Sequence, residues 1–405
     1  MTSLLPDPVD PEFSVVMVTH GAWSLTEQAL AALSAHTDCP FEVVVVDNDS
    51  KDETRARLSE LDNARVLLND ENQGFGPACN QGAAEAHGEQ LVLLNTDAFV
   101  TQGWLEPMRE ALEDPAIGAV VPRYLHPDGS LQDAGPLLAQ DGTVLMYGDG
   151  DDPERPCYRF RRILDYGGAA CLLLRRSLFE SLGGFDSRFA PAYYEDADLG
   201  MRIAERGLAV VYEPRSTVTH VRYGSGEATT AAALSEHNRR RFVERWGSQL
   251  VGRPWTFRGT SEQAVVGARD APATPRVLIG AGAEERAASS VAGSLLRGWP
   301  RARITWAAAL PADDGCDVDR LLQLGVEVLD AADYSWLGER LFHYDLVLLG
   351  ENLGPGLMAA LAQTQPQALQ LPLSEIDPDR PISLLAVAAR AGISPASHLP
   401  CSASS

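Results

Sequence analysis

The sequence predicts an α/β fold: a doubly wound, mostly parallel sheet, followed in the chain by a smaller α/β domain. Three observations carry that expectation. Apolar runs of strand length at 13–19, 41–46 and 90–94 show no polar alternation, as strands covered on both faces do. They alternate with helical stretches through loops of ordinary length, the rhythm of βαβ units. Polar clusters, Asp47-Asn48-Asp49-Ser50 and Asn95-Thr96-Asp97, follow two of these runs directly. In open α/β sheets, ligands collect in the crevice beyond the carboxyl ends of the strands.

The elements follow in order. After an N-terminal arm at 1–12, the strand 13–19 leads to a helix opening on a capping box, Ser24-x-x-Glu27, with apolar residues through Leu33. The strand 41–46 leads into a helix whose acids, Asp52 and Glu53, are expected in its first turn. A strand at 65–68 precedes the loop Asn72-Gln73-Gly74-Phe75-Gly76-Pro77 and a helix around 80–86. Next come the strand at 90–94, a helix at 104–112 and a strand at 117–121. The stretch 126–156 is rich in turns and reads as an excursion over the site that includes a hairpin. Order returns at 165–174, before a short helix ending at Gly183-Gly184. Glu195, Asp196 and Asp198 open the next helix, where the macrodipole favours acids, so capping is their simplest role. Strand-like residues at 210–212 and 217–220 and a polar helix at 238–246 complete a first domain placed at 13–257.

A small, polar stretch at 258–274 reads as a linker. Strand-like runs at 276–279, 304–309, 326–329 and 345–349 then form a second, Rossmann-like domain at 275–400, with a tail at 401–405. Its first strand runs into Gly280-x-Gly282, but Glu285 stands where a dinucleotide fingerprint has its third glycine.

Composition excludes several classes. The 405 residues allow two or three domains, and 45% hydrophobic with 22% charged residues is an ordinary globular balance. A net charge of −23 offers no general attraction to nucleic acid or anionic lipid. The six cysteines contain no CxxC pair, so neither a zinc site nor a disulfide framework is indicated. The acidic N-terminus has no apolar signal-like core and no stretch has the length and apolarity of a membrane span, so a cytoplasmic location is expected.

The clusters at 47–49, 95–97 and 195–198 should share one edge of the sheet, joined by His220 after a late strand. Together they supply a nucleotide grip, oxygen ligands for a cation and a carboxylate base. Transfer of a sugar from a nucleotide diphosphate needs that combination. No serine–histidine or cysteine–histidine nucleophile arrangement stands out.

At this point residues 13–245 resemble a family 2 glycosyltransferase of GT-A fold and the rhamnosyltransferase-like branch. The resemblance rests on Val45-Val46-Asp47-Asn48-Asp49-Ser50-x-Asp52, Asn72-Gln73-Gly74-Phe75-Gly76-x-x-x-Asn80-x-Gly82, Leu94-Asn95-x-Asp97, Gly183-Gly184-Phe185-Asp186 and Tyr194-Glu195-Asp196-x-Asp198-Leu199-x-x-Arg202. It implies that Thr19 and Asp47 lie against base and ribose, and that Asn48, Gly74, Phe75, Asn80, Asn95 and Asp97 complete the nucleotide-sugar site. Asn95 and Asp97 match the family's metal motif, with Asp97 the principal ligand and His220 completing the shell around Mn2+ or Mg2+. Asp196 is implied as catalytic base with Glu195 beside it, and Gly168, Ala169 and Ala170 as the border of the acceptor pocket. The motif's first acid is Asn95 here, and an amide oxygen binds a cation more weakly than a carboxylate does. The implied reaction is inverting, from a dTDP- or UDP-hexose, rhamnose-type first, to a hydroxyl of a glycan, glycolipid or small-molecule acceptor. A homo-oligomer is compatible with it.

The second domain resembles the N-terminal half of a GT-B glycosyltransferase at Gly325-Val326-Glu327-Val328-Leu329 and Tyr344-Asp345-Leu346-Val347-Leu348-Leu349. That implies acceptor binding, docking or oligomerisation rather than a second active site. Two rivals stay open. A sugar-phosphate nucleotidyltransferase is disfavoured because Thr19-His20-Gly21-Ala22-Trp23 lacks the Gly-rich, Lys-containing phosphate loop. A non-catalytic binding module would not require Asp97, Glu195 and Asp196 together.

Overall fold

The computed structural model describes residue 5, residues 10–221 and 228–251, and of the remainder 253–257, 265, 268–270, 275–280, 285–299, 301–308, 318–330, 335–338, 344–350, 353 and 355–376. Most of the N-terminal arm, most of the linker, the Ala281-Gly282 turn and the tail lie outside the described residues. The chain forms two compact units, one of residues 1–153 and 164–251, the other of 154–163 and 252–405.

The first unit is built on β1 (Phe13–Thr19), β2 (Phe41–Asn48), β3 (Ala64–Asn69), β4 (Gln90–Leu94), β5 (Ala98–Val100), β6 (Ile117–Leu125) and β7 (Leu131–Asp133). A small hairpin of β8 (Leu137–Leu138) and β9 (Val144–Leu145), with β11 (Cys171–Arg175) and β12 (Ala209–His220), completes its strands, and the short β10 (Arg162–Leu164) begins in residues of the other unit. The main sheet runs β12-β6-β11-β4-β1-β2-β3, with β5 on β12 and β7 on β6. β2, β3 and β4 run parallel to their neighbours around β1, and β6 runs parallel to β12. β11 is reversed between β4 and β6. The expected mostly parallel α/β sheet is therefore present. Every residue of β2 and nearly every one of β1 is buried, as their unbroken apolar sequences require.

The helices are α1 (Trp23–His36), α2 (Thr54–Leu58), α3 (Phe75–Ala84), α4 (Leu105–Leu112), α5 (Arg176–Ser181), α6 (Glu195–Glu205) and α7 (Ala228–Trp246). Their ends correct the sequence reading in several places. The capping box at Ser24 does not form: α1 starts one residue earlier, after Ala22 at φ 57, and Ser24 Oγ instead accepts from Gln28 Nε2 at 3.3 Å. The Ala22 amide donates to Asp52 across the loop at 2.8 Å. Asp52 and Glu53 precede α2 rather than entering its first turn, and Asp52 accepts from the Thr54 amide at 3.0 Å. α3 begins at Phe75, well before the expected start. The two late strand segments are one strand, β12, whose ladder is irregular between Glu213 and Thr217, where Pro214 has no amide to donate.

The second unit holds a parallel sheet of Arg276–Gly280, Arg303–Ala308, Val326–Asp330, Leu346–Leu349 and Leu369–Pro372. Numbered along the chain, these strands lie in the order 3-2-1-4-5, the order of a Rossmann-type half sheet. The fifth strand went unread because its short run, closed by Pro372, carries little β signal. Residues 154–163, expected inside the first domain, belong to this unit. The Phe160 ring lies 5.5 Å from the Arg269 guanidinium and 4.9 Å from that of Arg303, and the Arg161 amide donates to the Leu322 carbonyl at 3.0 Å. Asp270 and Glu327 compensate those buried cations.

Asp198, expected as a helix cap, does something else. Its fully buried carboxylate takes Arg202 Nε at 2.7 Å, Arg245 Nη1 at 3.0 Å and Trp246 Nε1 at 2.9 Å, tying α6 to the end of α7. Removing it leaves the nearly buried Arg202 without its counter-charge and the buried Trp246 Nε1 without its acceptor, which costs about 3–5 kcal/mol. Asp198→Ala is expected to lose that much stability in chemical denaturation at unchanged m-value. A loss below about 1 kcal/mol contradicts this role.

Candidate functional site

The ends of β1 and β2 are in register, Thr19 opposite Asp47. Their loops are laced together: the Gly21 amide donates to Ser50 Oγ at 2.7 Å, and His20 Nδ1 lies 2.8 Å from the Asn48 carbonyl. Thr19 Oγ1 donates to the Gly21 carbonyl at 3.0 Å. Asp47 is buried, with Oδ1 accepting from the Ser50 amide at 3.3 Å and Oδ2 left without a partner. A buried, unpaired carboxylate oxygen is costly, and a ligand hydroxyl there would satisfy it.

Asn48, Gly74 and Asn80, expected in the nucleotide-sugar site, are occupied as braces. Asn48 Nδ2 donates to Asn72 Oδ1 at 2.9 Å and the Gly74 carbonyl at 3.2 Å, while its Oδ1 accepts from Asn69 Nδ2 at 3.1 Å and the Gln73 amide at 3.0 Å. Those four bonds use both donors and both lone pairs of its amide. Asn80 grips the Phe185 backbone both ways, donating to its carbonyl and accepting from its amide, each at 2.8 Å. The Phe75 amide donates to the Pro191 carbonyl at 2.6 Å. Gly74 sits at φ 88, and a Cβ there would stand 2.8 Å from the Pro191 backbone, so only glycine fits without displacing that loop. The Phe75 ring packs 6.0 Å from that of Phe185. The start of α3 thus clamps the segment that carries the acids of α6.

At the end of β4 the Asn95 amide donates to the Ala170 carbonyl at 2.9 Å, while its buried side-chain oxygen has no partner. Asp97 is buried, and its Oδ1 lies 3.3 Å from His220 Nε2. Pairing of β12 with β5 sets His220 opposite Ala98, which delivers the ring to Asp97. Two donors each about 2.1 Å from one ion, near a right angle, lie about 3 Å apart, so this pair fits a shared divalent cation. Among the described residues no group of three or more His, Cys, Asp or Glu side chains gathers as a metal site. Asp97 and His220 are the two ligating side chains the described residues bring within reach of one another here, and the unpartnered amide oxygen of Asn95 lies two positions before Asp97 in the chain.

Asp196 is joined to this edge through the backbone of Ala169 and Ala170. Its Oδ2 accepts from the Ala169 amide at 3.4 Å, one residue from the Ala170 carbonyl that holds Asn95. The Tyr124 hydroxyl, 3.0 Å from the Gly168 carbonyl, also accepts from the Cys171 amide at 2.8 Å and so fixes that loop at both ends. Burial pushes Asp196 up to about 6, against hydrogen bonds from the Ala197 and Ala169 amides that favour its charged form. Glu195 is buried with Oε2 unpartnered, and burial first, then the neighbouring Asp196, pushes its carboxyl well above the usual carboxylate range. Tyr193 at φ 76 and Tyr194 at φ 71 precede the two acids, and Asn238 Nδ2 holds this bend through the Phe189, Ala192 and Tyr193 carbonyls. Both acids lie in the first turn of α6, where the macrodipole favours them as expected, while the capping position itself is Tyr194 and makes no side-chain bond.

Sequence reasoning missed Tyr124, Asn238, Gln132 and His126. Tyr124 lies on β6, Gln132 on β7 and His126 between them, where no spacing signals chemistry; Asn238 was read only as the start of a polar helix.

Residues 14–183 match the family described as Glycosyl transferase family 2. The chain is 30% identical over 292 residues to the N-acetylglucosaminyl-diphospho-decaprenol L-rhamnosyltransferase of Mycobacterium tuberculosis, covering 64% of this chain and 91% of that protein. It is 32% identical over 256 residues to the O-antigen biosynthesis protein RfbC of Myxococcus xanthus, covering 60% of this chain and 19% of that one. The solved structure of GalNAc-T7 with UDP, GalNAc and Mn2+ aligns at TM-score 0.48 and 19% identity, over 58% of this chain and 48% of that one.

A carboxyl whose pKa is raised by folding stabilises the fold fully only below its unfolded value of about 4.3, and that contribution fades as pH rises through the folded value. Glu195 is such a group. Glu195→Gln is expected to unfold at a higher temperature than wild type at pH 7, with the advantage shrinking toward pH 4. A variant less stable than wild type at pH 7 contradicts the burial of an unpaired charge.

Proposed function

The chain belongs to glycosyl transferase family 2, a glycosyltransferase drawing on nucleotide-sugar donors, and on that premise we propose an inverting, cation-assisted hexosyltransferase whose base is Asp196. The donor is a dTDP- or UDP-hexose, with rhamnose the first choice because the named relatives include a rhamnosyltransferase. The acceptor is a hydroxyl of a glycan or glycolipid. Among the described residues no helix is long and apolar enough to cross a membrane. We assign the protein to the cytoplasm, where nucleotide sugars are supplied.

The observation that carries this reading is the backbone link Asn95–Ala170–Ala169–Asp196, which sets a basic carboxylate beside the proposed cation ligands. Asp47 and Thr19 receive the nucleoside; Asn48, Gly74 and Asn80 shape the site as braces, not as contacts. Asn95, Asp97 and His220 hold the cation, Mn2+ or Mg2+. A bound divalent cation neutralises charge on the departing diphosphate. Asp196 takes the proton of the acceptor hydroxyl as its oxygen attacks the anomeric carbon from the face opposite the diphosphate, inverting the configuration. Glu195, beside it, orients the acceptor. A base near 6 is ionised at neutral pH yet retains proton affinity, the balance general-base catalysis favours.

Asp196 works only when ionised, so transfer should rise with pH through about 6 and then level off. Asp196→Asn is expected to lower kcat by about 10²–10⁴ while leaving nucleotide affinity unchanged in calorimetry. Retained turnover in Asp196→Asn with loss in Glu195→Gln would move the base to Glu195.

A further inference from the structure

We propose that Gln132 and His126 are positioning residues that fix the tautomer and aim of His220. This rests on the reading of Asp97 and His220 as cation ligands. Gln132 Nε2 lies 2.8 Å from the His220 carbonyl, an acceptor only, so the nitrogen end of the amide must face it. Its oxygen end then faces His220 Nδ1 at 2.7 Å, and a carbonyl oxygen there requires the proton on Nδ1. In the neutral ring, His220 Nε2 then carries the lone pair, 3.3 Å from Asp97 Oδ1. In that form Nε2 is free to bind a cation shared with Asp97.

The chain of bonds continues outward with the same sense. The second Nε2 hydrogen of Gln132 points at His126 Nδ1, 3.1 Å away, which makes that nitrogen an acceptor and puts the His126 proton on Nε2. His126 Nε2 then donates to Asp149 Oδ1 at 2.8 Å. From Asp149 to His220 every donor meets an acceptor in one direction only. Rotating the Gln132 amide would break its bonds to His220 Nδ1, the His220 carbonyl and His126 together. Gln132 is buried on β7, and the Tyr124 ring packs 5.9 Å from the His220 ring, so neither side chain has an alternative seat. A metal-bound histidine keeps its ring orientation and basicity through the bond made by its other nitrogen, and losing that partner typically costs 10–100-fold in metal affinity. The excursion at 126–156, which supplies His126, Gln132 and Asp149, thereby reaches the cation shell without touching the cation.

The test is Mn2+ affinity measured by electron paramagnetic resonance with UDP or dTDP present, alongside nucleotide binding without metal. Gln132→Ala is expected to weaken Mn2+ binding about 10–100-fold with metal-free nucleotide affinity unchanged. His126→Ala, a partly exposed site safer for folding, is expected to produce a smaller loss of the same kind. Gln132→Glu, which can accept from Nδ1 but cannot donate to the His220 carbonyl, should recover part of the affinity. Wild-type Mn2+ affinity in folded Gln132→Ala and His126→Ala, with affinity lost in His220→Ala, overturns the positioning role alone. Unchanged Mn2+ affinity in His220→Ala overturns the underlying ligand assignment instead.

Discussion

The exchange of hydrogen bonds between the start of α3 and residues 184–191 is the constraint on which the site depends. Asn80 pairs with both backbone groups of Phe185, and the Phe75 amide meets the Pro191 carbonyl. Asn48, at the end of β2, holds the Gly74 end of the same clamp. A chain of fixed contacts thus runs from the rigid sheet edge to the bend that launches α6, and Asp196 inherits its place from the sheet. Asn238 and the Asp198–Arg202–Arg245–Trp246 cluster secure that bend from the α7 side. Positioning to a fraction of an ångström is what general-base chemistry needs, and loops alone rarely give it.

Against this rigid frame stand polar atoms that the fold leaves unsatisfied. Asp47 Oδ2, Asn95 Oδ1 and Glu195 Oε2 are buried without hydrogen-bond partners. Each is destabilising in isolation, as are buried unpartnered atoms elsewhere such as Ser216 Oγ and Trp306 Nε1, and these three are the ones a bound ligand at the proposed site would satisfy. Glu195 and Asp196 extend the same logic: burial raises both carboxyls, and the charge of Asp196 raises Glu195 further.

Much of this was legible in the sequence because its signals are local. The unbroken apolar runs gave β1, β2 and β4, and the polar residues following them gave Asp47, Asn95 and Asp97, since strand direction alone places strand ends on one edge. The Asp196 assignment came from resemblance, not from periodicity, and its raised pKa depends on burial that no spacing reveals. Asn48, Gly74 and Asn80 were assigned to the ligand because motif residues invite that reading. Their bracing bonds, which reach residues up to 105 positions away, were not legible, since no sequence window covers that separation. Gln132 and His126 were invisible for a related reason: their role exists only once β7 lies beside β12. The placement of 154–163 with the second unit depends on Phe160 meeting Arg269 and Arg303, again a contact between distant positions.

The central claim is that Asp97 belongs to one cation and nucleotide-sugar site with Asp47 and Asp196. Calorimetric titration of UDP, dTDP and GDP, each with and without Mn2+, into wild type and Asp97→Ala tests it most directly. One nucleotide is expected to bind tightly only with metal, and that enhancement to vanish in Asp97→Ala. Metal-independent binding that Asp97→Ala leaves intact would contradict it.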